Sequence, residues 1–282
     1  MTFGYADLHL HTTASDGTQE IPELVKRAAA CGLSAIAITD HDTVSPALTQ
    51  RVTRIGRLEV ITGVEIKVDF DGISGELLGY FIEPNAPALK DLFSFMGKAR
   101  AMRMEKMVIR CRDYLQLDIS LAEVRALAQG SIGRPHLAKI LVEKGAVETM
   151  SDAFTQLIGD GQPCYIPLER PGFRAAAHAV HAAGGATSLP HPCFMDVLDW
   201  DAFLTTIHAE GVDGLEVFYP YRNGMEGLSI APALLQSLAK RHKFLLTGGS
   251  DDHGPSSVKE TLGSIRVAYE HVEALKRLCG LA

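Results

Sequence analysis

Imidazole and carboxylate side chains recur in this chain beside short apolar runs: His9 and His11 in DLHLH, Asp16 in SDG, His41 in TDHD, Glu65 in ITGVE, Glu76 in GELLGY, His191 in SLPHP, and Asp251 and His253 in GSDDHG. Strand alternation turns Asp7, His9 and His11 to one side and Leu8 and Leu10 to the other, so two imidazoles face one cavity. A single His-x-His is a weak signal, since polar residues in a strand are often satisfied by ordinary hydrogen bonds. The other members of the set raise its weight. Glu65 closes an apolar run that has every reason to be buried, and a carboxylate there needs a cation or several hydrogen bonds. Glu76 intrudes on an apolar run in the same way, although a solvent-facing position would also accommodate it. Asp40 and Asp42 flank His41, where an aspartate can fix the tautomer of a ligating histidine. A set of nitrogen and oxygen donors without thiolates suits manganese, iron or zinc better than calcium or a structural zinc.

These residues need a scaffold that gathers them. YADLHL, LSAIAIT, LEVITGVE, GELLGYF, GATSLPH, GLEVFY and FLLTGGSDDH read as short buried strands, each ending in polar residues. Helical patterns lie between most of them. The clearest spans 18–30, with Pro22 in its first turn, Leu24, Val25 and Ala28 at helical spacing, and Gly32 as a stop. Further helices are expected at 43–57, 172–184, 196–210 and 226–242. Strand and helix in alternation predict an α/β fold with a mainly parallel sheet. His9, His11, His41, Glu65, His191, Asp251 and His253 then sit at or just past the carboxyl ends of strands, where βα folds assemble their active sites.

The alternation fails between about residues 85 and 165, where the chain reads as helical throughout. The expected organisation is a barrel formed by 1–84 and 166–282, with an inserted helical cap subdomain at 85–165. The first inserted helix carries Ala101, Met104, Val108, Cys111 and Leu115 on one face. Lys98, Arg100, Arg103, Lys106, Arg110 and Arg112 lie largely elsewhere, as a solvated basic face or one turned toward an anionic substrate.

Composition narrows the class. The 282 residues are 46% hydrophobic and 22% charged, ordinary for a folded globular chain of this length. A net charge of −7 argues against a protein that coats nucleic acid through a broad basic surface. Cys31, Cys111, Cys164, Cys193 and Cys279 are odd in number and never form a CxxC pair, which disfavours a disulfide framework or a thiolate zinc knuckle. With no signal-peptide pattern at the start and no long uncharged apolar run, the expected location is the cytoplasm, without membrane attachment.

Taken in order, ADLHLHTTASDG, AITDHD, ITGVEI, GRPHLAK, the HP pair and GSDDHG resemble the PHP (polymerase and histidinol phosphatase) superfamily of phosphoesterases over nearly the whole chain. The likeness is nearest to the bacterial branch with 3′,5′-nucleoside bisphosphate phosphatases and 5′ to 3′ exoribonucleases acting on short RNA. The resemblance implies a distorted (β/α)7 barrel, an inserted helical cap, and two or three divalent metals, manganese first with iron(II) or zinc as alternatives. It implies that His9, His11, Glu65 and Asp251 hold one metal, that Glu65 bridges to a second held also by Glu76 and His191, and that Asp16, His41 and His253 hold a third. Arg134 and His136 of GRPHLAK match the substrate-phosphate positions, where a guanidinium fork and an imidazole donor suit phosphate. The alternative for this segment is a helix start with Pro135 in its first turn and Arg134 in a surface ion pair. Two departures from the family pattern stand out: Glu76 where histidine is usual, and Asp252 where an aromatic or apolar residue is more common.

The implied chemistry is hydrolysis of a phosphomonoester by in-line attack of a metal-activated hydroxide, with Asp251, Arg134 and His136 as catalytic residues. The expected substrate is a small nucleotide such as a 3′,5′-nucleoside bisphosphate, with short 5′-phosphorylated RNA as the alternative and no stable nucleic-acid complex. A catalytically idle metal-binding regulatory module is the reading from another class, and the full complement of ligand-type residues argues against it. His178, His181, His208, His242 and His271 fall in expected helices, as bystanders, and Cys193 is not expected to be a ligand despite lying near His191.

Overall fold

A computed structural model of the chain describes residues 4–70, 72–128, 132–221 and 227–282, with Ile73 described by its backbone alone. The chain divides into two compact units, Met1–Leu92 with Pro171–Ala282, and Phe93–Arg170.

Among the described residues the first unit is built on nine strands: β1 (Tyr5–Leu10), β2 (Ala35–Ile38), β3 (Val52–Ile55), β4 (Leu58–Phe70), β5 (Ile73–Tyr80), β6 (Ala186–Leu189), β7 (Gly214–Phe218), β8 (Leu245–Gly248) and β9 (Val267–Ala268). Their order in the sheet is β8-β7-β6-β5-β4-β2-β1-β9, with β3 paired to β4. The sheet curls into a nearly closed barrel. Its two sides meet where Leu10 bridges Asp252 in parallel register and the Ser250 N–H donates to Asp7 Oδ1 at 2.8 Å. Gly249 permits this closure, because a Cβ at that position would lie 2.3 Å from the Cβ of His9 and 2.4 Å from its backbone nitrogen.

Alternation along the strands explains why their runs are apolar on both sides. Ala35 and Ala37 of β2 join Leu8, Ile61 and Leu78 in one buried cluster. Ile36 and Ile38 join Leu10, Val60 and the helix α1 (Ile21–Ala30) in another. Strands covered on both faces lose the polar half of the alternating pattern. The helix starts three residues later than the expected 18–30 and buries Ile21, Leu24, Val25 and Ala28.

Three expectations need correction. No helix forms at 43–57, since that stretch turns and enters β3, which lies antiparallel on β4 from Val52↔Ile61 to Ile55↔Leu58. The sheet is also more mixed than expected: β3–β4, β4–β5, β5–β6 and β1–β9 are antiparallel. Third, Glu65 does not end a strand. β4 is 13 residues long. Its first half runs parallel to β2, from Ala35↔Glu59 to Ile38↔Thr62. Its second half pairs antiparallel with β5, from Gly63↔Tyr80 to Phe70↔Ile73. The strand outruns β2 at Thr62, so Glu65 stands just beyond the carboxyl end of β2, where it bridges His41.

The second unit holds most of α2 (Pro87–Leu115), then α3 (Leu121–Ala126), α4 (Arg134–Glu143) and α5 (Met150–Asp152), which runs into a π-helical turn at Ala153–Ile158. No strand occurs in it among the described residues. Met107, Cys111, Leu137, Leu141 and Ile158 form the centre of its own core. Ser120 and Glu123 make a capping box that starts α3. The unit extends to Arg170, against an expected 85–165.

The first unit also carries α6 (Phe173–Ala182), α7 (Trp200–Ala209), α8 (Pro232–Arg241) and α9 (Tyr269–Leu278). The helix expected at 226–242 is the shorter α8, and residue 226 lies outside the described residues. No described helix is long and apolar enough to cross a membrane.

Candidate metal centre

All nine candidate ligands belong to the barrel unit, and the fold brings them together at one end of it. His9 lies in β1, and His11 just beyond it. The loop that follows carries Asp16, held by Asp40, whose carboxylate accepts from the Thr12 N–H at 2.7 Å and the Ser15 hydroxyl at 2.7 Å. Asp40 thus organises this loop instead of orienting His41, and Asp42 accepts from the Lys67 N–H at 2.8 Å.

Glu65, 1% exposed, is the hub. Its Oε2 lies 3.4 Å from His9 Nε2, 3.4 Å from His11 Nε2 and 3.0 Å from His41 Nδ1. Its Oε1 lies 3.3 Å from His191 Nε2. Glu76 reaches the same group, with Oε1 at 3.5 Å from His41 and Oε2 at 3.3 Å from His191. Asp251 Oδ1 stands 3.2 Å from His11 Nε2 and 3.7 Å from His9 Nε2. Asp16 stands 3.4 Å from His253 and 3.6 Å from His41. Donor atoms therefore fall into three overlapping groups: His9, His11 and Asp251; His41, Glu65 and Glu76; and His11, Asp16, His41 and His253. His11 and His41 are each shared between two groups, a finer mixing than the family partition implies.

The nitrogens His9 Nε2, His11 Nδ1 and Nε2, and His41 Nδ1 are buried without a protein hydrogen-bond partner. Buried polar atoms in native proteins are normally satisfied, and several lone-pair donors converging on ionised carboxylates are what a divalent cation requires. The donor set fits metals. Backbone geometry points the same way, because His191 (φ 32°) and Asp251 (φ 55°) both hold left-handed conformations that are costly for residues other than glycine.

The electrostatics of the cluster follow from crowding charge in a buried place. Burial resists ionisation of Glu65, yet the His9, His191 and His41 imidazoles hold its carboxyl well below the usual range. Burial likewise opposes the Asp251 charge, and His9, His11 and Lys259 outweigh it. For His9, burial opposes protonation, but Glu216, Glu65 and Asp251 raise its pKa well above the ordinary value. The same opposition raises His191 to about 10, through Glu65 and Glu76. His11 moves the other way, lowered by burial and by the neighbouring imidazoles of His9 and His41. Asp7, fully enclosed beneath them, is pushed up to about 7 by burial.

Supporting residues absent from the sequence-derived set hold these groups in place. Glu216 on β7 accepts from His9 Nδ1 at 3.0 Å and from the His191 backbone N–H at 2.8 Å. Because a carboxylate only accepts, Glu216 keeps a proton on His9 Nδ1, so Nε2 is the nitrogen that would offer a lone pair to a cation held among these ligands. Asp251 Oδ2 accepts from the Tyr219 hydroxyl at 2.9 Å and from Lys259 Nζ at 2.5 Å. Glu216 interrupts the apolar run GLEVF just as Glu65 interrupts its own, so a signal for it existed. Tyr219 and Lys259 carried none. Asp252, the second departure from the family pattern, is a loop anchor: fully buried, it accepts from the Thr261 N–H at 2.6 Å, the Leu262 N–H at 2.8 Å and Arg27 at 3.1 Å.

Arg134 and His136 lie in the second unit. Arg134 opens α4 with Pro135 in the first turn and pairs with Asp160 at 2.7 Å. Its guanidinium also sits 5.6 Å from the Phe154 ring centre and 5.7 Å from that of Tyr165. His136 Nδ1 accepts from the Gly133 N–H at 3.0 Å, which leaves Nε2 to carry the proton. Of the basic residues on α2, Arg103 and Arg110 donate to the backbone carbonyls of Ile166 and Tyr165 at 2.6 and 2.7 Å. His181, His208, His242 and His271 stand outside the donor groups, against Asp213, Phe244, Asp201 and Phe218. Cys193 is buried, and its N–H donates to the Tyr221 hydroxyl at 3.4 Å.

The sequence pattern of the PHP domain matches residues 7–161, and the chain belongs to that family. It is 31% identical to the 5′-3′ exoribonuclease Rnm of Salmonella typhimurium over 88% of this chain and 85% of that protein. It is 26% identical to the 3′,5′-nucleoside bisphosphate phosphatase of Chromobacterium violaceum over 97% and 93%. A solved metal-dependent phosphoesterase from Bifidobacterium adolescentis, 30% identical, superposes with a TM-score of 0.69 over 97% of this chain and 96% of that one. The chain is a metal-dependent phosphoesterase, a hydrolase of phosphoric esters.

Proposed function

We propose that the chain hydrolyses a phosphomonoester of a small nucleotide, with a 3′,5′-nucleoside bisphosphate as the first candidate. His9, His11, Asp16, His41, Glu65, Glu76, His191, Asp251 and His253 are the proposed ligands of two or three divalent cations, manganese preferred over iron(II) or zinc. The observation that carries this reading is the convergence of unpartnered imidazole nitrogens on Glu65 and Asp251. When bound, the cations supply charge that neutralises phosphoryl oxygens and activates water for attack on phosphorus.

The protein's own groups do the rest. Glu216 keeps His9 in the tautomer that offers Nε2. Tyr219 and Lys259 hold one oxygen of Asp251 so that the other faces the imidazoles. Glu76, where histidine is usual in the family, adds negative charge and a harder donor, which favours manganese. Arg134 is the proposed grip on a substrate phosphate, through a planar fork that would exchange Asp160 for the ligand. His136, with its proton on Nε2, is the proposed donor to a phosphate or leaving oxygen. The five dispersed free cysteines accord with a reducing, cytoplasmic setting.

A second reading, 5′ to 3′ exonuclease action on short RNA, is favoured by the identity to the exoribonuclease, which exceeds that to the phosphatase. Phosphate release from 3′-phosphoadenosine 5′-phosphate, measured with manganese beside mononucleotide release from a 5′-phosphorylated RNA oligomer, separates the two. Rapid turnover of the bisphosphate alone supports the phosphatase. Processing of the oligomer supports the exonuclease. Asp251→Asn should cut either activity about a thousandfold while the protein stays folded, and near-normal turnover in that variant refutes the assignment of the centre.

A further inference from the structure

A short turn, Pro192–Phe194, leaves directly from His191. It buries Pro192 and Cys193, and Met195 follows them inward, while Phe194 stays 39% exposed. The turn's backbone is fixed. The Phe194 N–H donates to the His191 carbonyl at 3.2 Å, the Met195 N–H to that of Pro192 at 2.9 Å, and the Ser229 N–H to that of Cys193 at 2.8 Å. A lone exposed phenylalanine is ordinary on a protein surface. This one continues a row of rings that starts at a candidate metal ligand. Tyr219 lies against His191 with ring centres 5.6 Å apart, and Phe194 stands edge-on to Tyr219 at 5.9 Å. Tyr221 contacts both, 5.6 Å from Phe194 and 4.9 Å from Tyr219.

The two tyrosines are tied down at their polar ends. The Tyr219 hydroxyl donates to Asp251 at 2.9 Å, and that of Tyr221 accepts from the Cys193 N–H at 3.4 Å. Their half-buried rings therefore make a rigid backing for Phe194. The phenylalanine ring offers no hydrogen bond, so the partner it suits is a flat ring system that binds through its face. A nucleobase is such a partner, and it stacks on an aromatic side chain whatever its identity. In a nucleotide one sugar separates the base from the phosphate, so a phosphate at the donor cluster brings its base within reach of a row of rings that begins at His191. We infer that Phe194 stacks the base of the substrate and so sets a preference for nucleotides over other phosphomonoesters, an inference that rests on the nucleotide reading proposed above.

Initial rates of the full chain with manganese, on 3′-phosphoadenosine 5′-phosphate and on ribose 3,5-bisphosphate, which lacks the base, test this. Where the 5′-phosphorylated RNA oligomer is the substrate, the pair is that oligomer with and without its 5′-terminal base. The wild type should favour the substrate with the base by about 5- to 150-fold in kcat/KM, the worth of one stacked base. Phe194→Ala should bring that ratio to within about twofold of unity, through KM more than kcat. Phe194→Leu, apolar but without a π-face, should do nearly the same, and Phe194→Trp should restore the ratio. Calorimetric binding of adenosine 5′-monophosphate should weaken in Phe194→Ala and recover in Phe194→Trp. The inference is overturned if Phe194→Ala lowers kcat/KM on both esters alike, which marks a structural role, or leaves the ratio as in wild type, which places the base elsewhere; either result leaves the nucleotide reading standing. Turnover of glycerol 2-phosphate with none of the bisphosphate or the oligomer refutes the nucleotide reading and the inference with it. A preference for phosphocholine that disappears in Phe194→Ala would make the row a cation site and equally overturn it.

Discussion

Replacing Glu216 by Gln changes one buried oxygen for an NH2 and tests how far the candidate centre depends on a residue that faces away from it. Glu216 is fully buried and accepts two hydrogen bonds, from His9 Nδ1 at 3.0 Å and from the His191 backbone N–H at 2.8 Å. A glutamine has one acceptor oxygen for those two donors. The backbone N–H has no alternative state, so the amide oxygen is drawn to His191 and the NH2 faces His9. A neutral His9 facing that NH2 would have to carry its proton on Nε2, which would leave no lone pair there for a cation. Losing such an orienting partner costs about 10- to 100-fold in metal affinity or activity, or about 1.4–2.7 kcal/mol. Manganese titration of the metal-free protein, with kcat/KM on a chromogenic phosphomonoester at each metal concentration, reads this directly. The expected result is a weakened metal midpoint with activity partly recovered at high manganese. Metal affinity and activity within twofold of wild type would refute the tautomer argument.

Further consequences follow from other parts of the molecule. Chelation should abolish activity and lower the melting temperature, and manganese at a hundredfold over its Kd should return about 2.7 kcal/mol of stability; melts with and without chelator check both. Gly249→Ala would drive a methyl into the backbone of His9, 2.4 Å away, and should cost at least about 2 kcal/mol in urea unfolding; a variant as stable as wild type would show that the barrel closes elsewhere. The bond from His181 to Asp213 raises the histidine above its ordinary 6.5. Its contribution is therefore complete below about pH 6.5 and lost as pH rises through the folded value. His181→Gln should lose about 0.5–1 kcal/mol more at pH 5.5 than at pH 9, a figure kept small because the ring is partly exposed; equal losses at the two pH values would contradict the pairing.

The sequence by itself determined most of the alternation of strand and helix, the helical character of the second unit, and which imidazoles and carboxylates gather at one end of the barrel. Each of these rests on local signals: period-two and period-3.6 apolar patterns, and charge set into runs that must be buried. Glu65 was legible for that reason, and Glu216 could have been. What local pattern does not carry is pairing. Residues 43–57 have helical spacing, yet the open edge of β4 captures Val52–Ile55 as a strand, because hydrogen bonds to a neighbour outweigh a weak propensity. The position of Glu65 beyond β2 depends on β4 continuing eight residues further against β5. Lys259 and Tyr219 reach Asp251 from separate loops, and their own surroundings in the chain give no reason to single them out. Tertiary structure decided these matters because a side chain's chemistry is set by what stands within a few ångströms of it, and those neighbours come from distant parts of the chain.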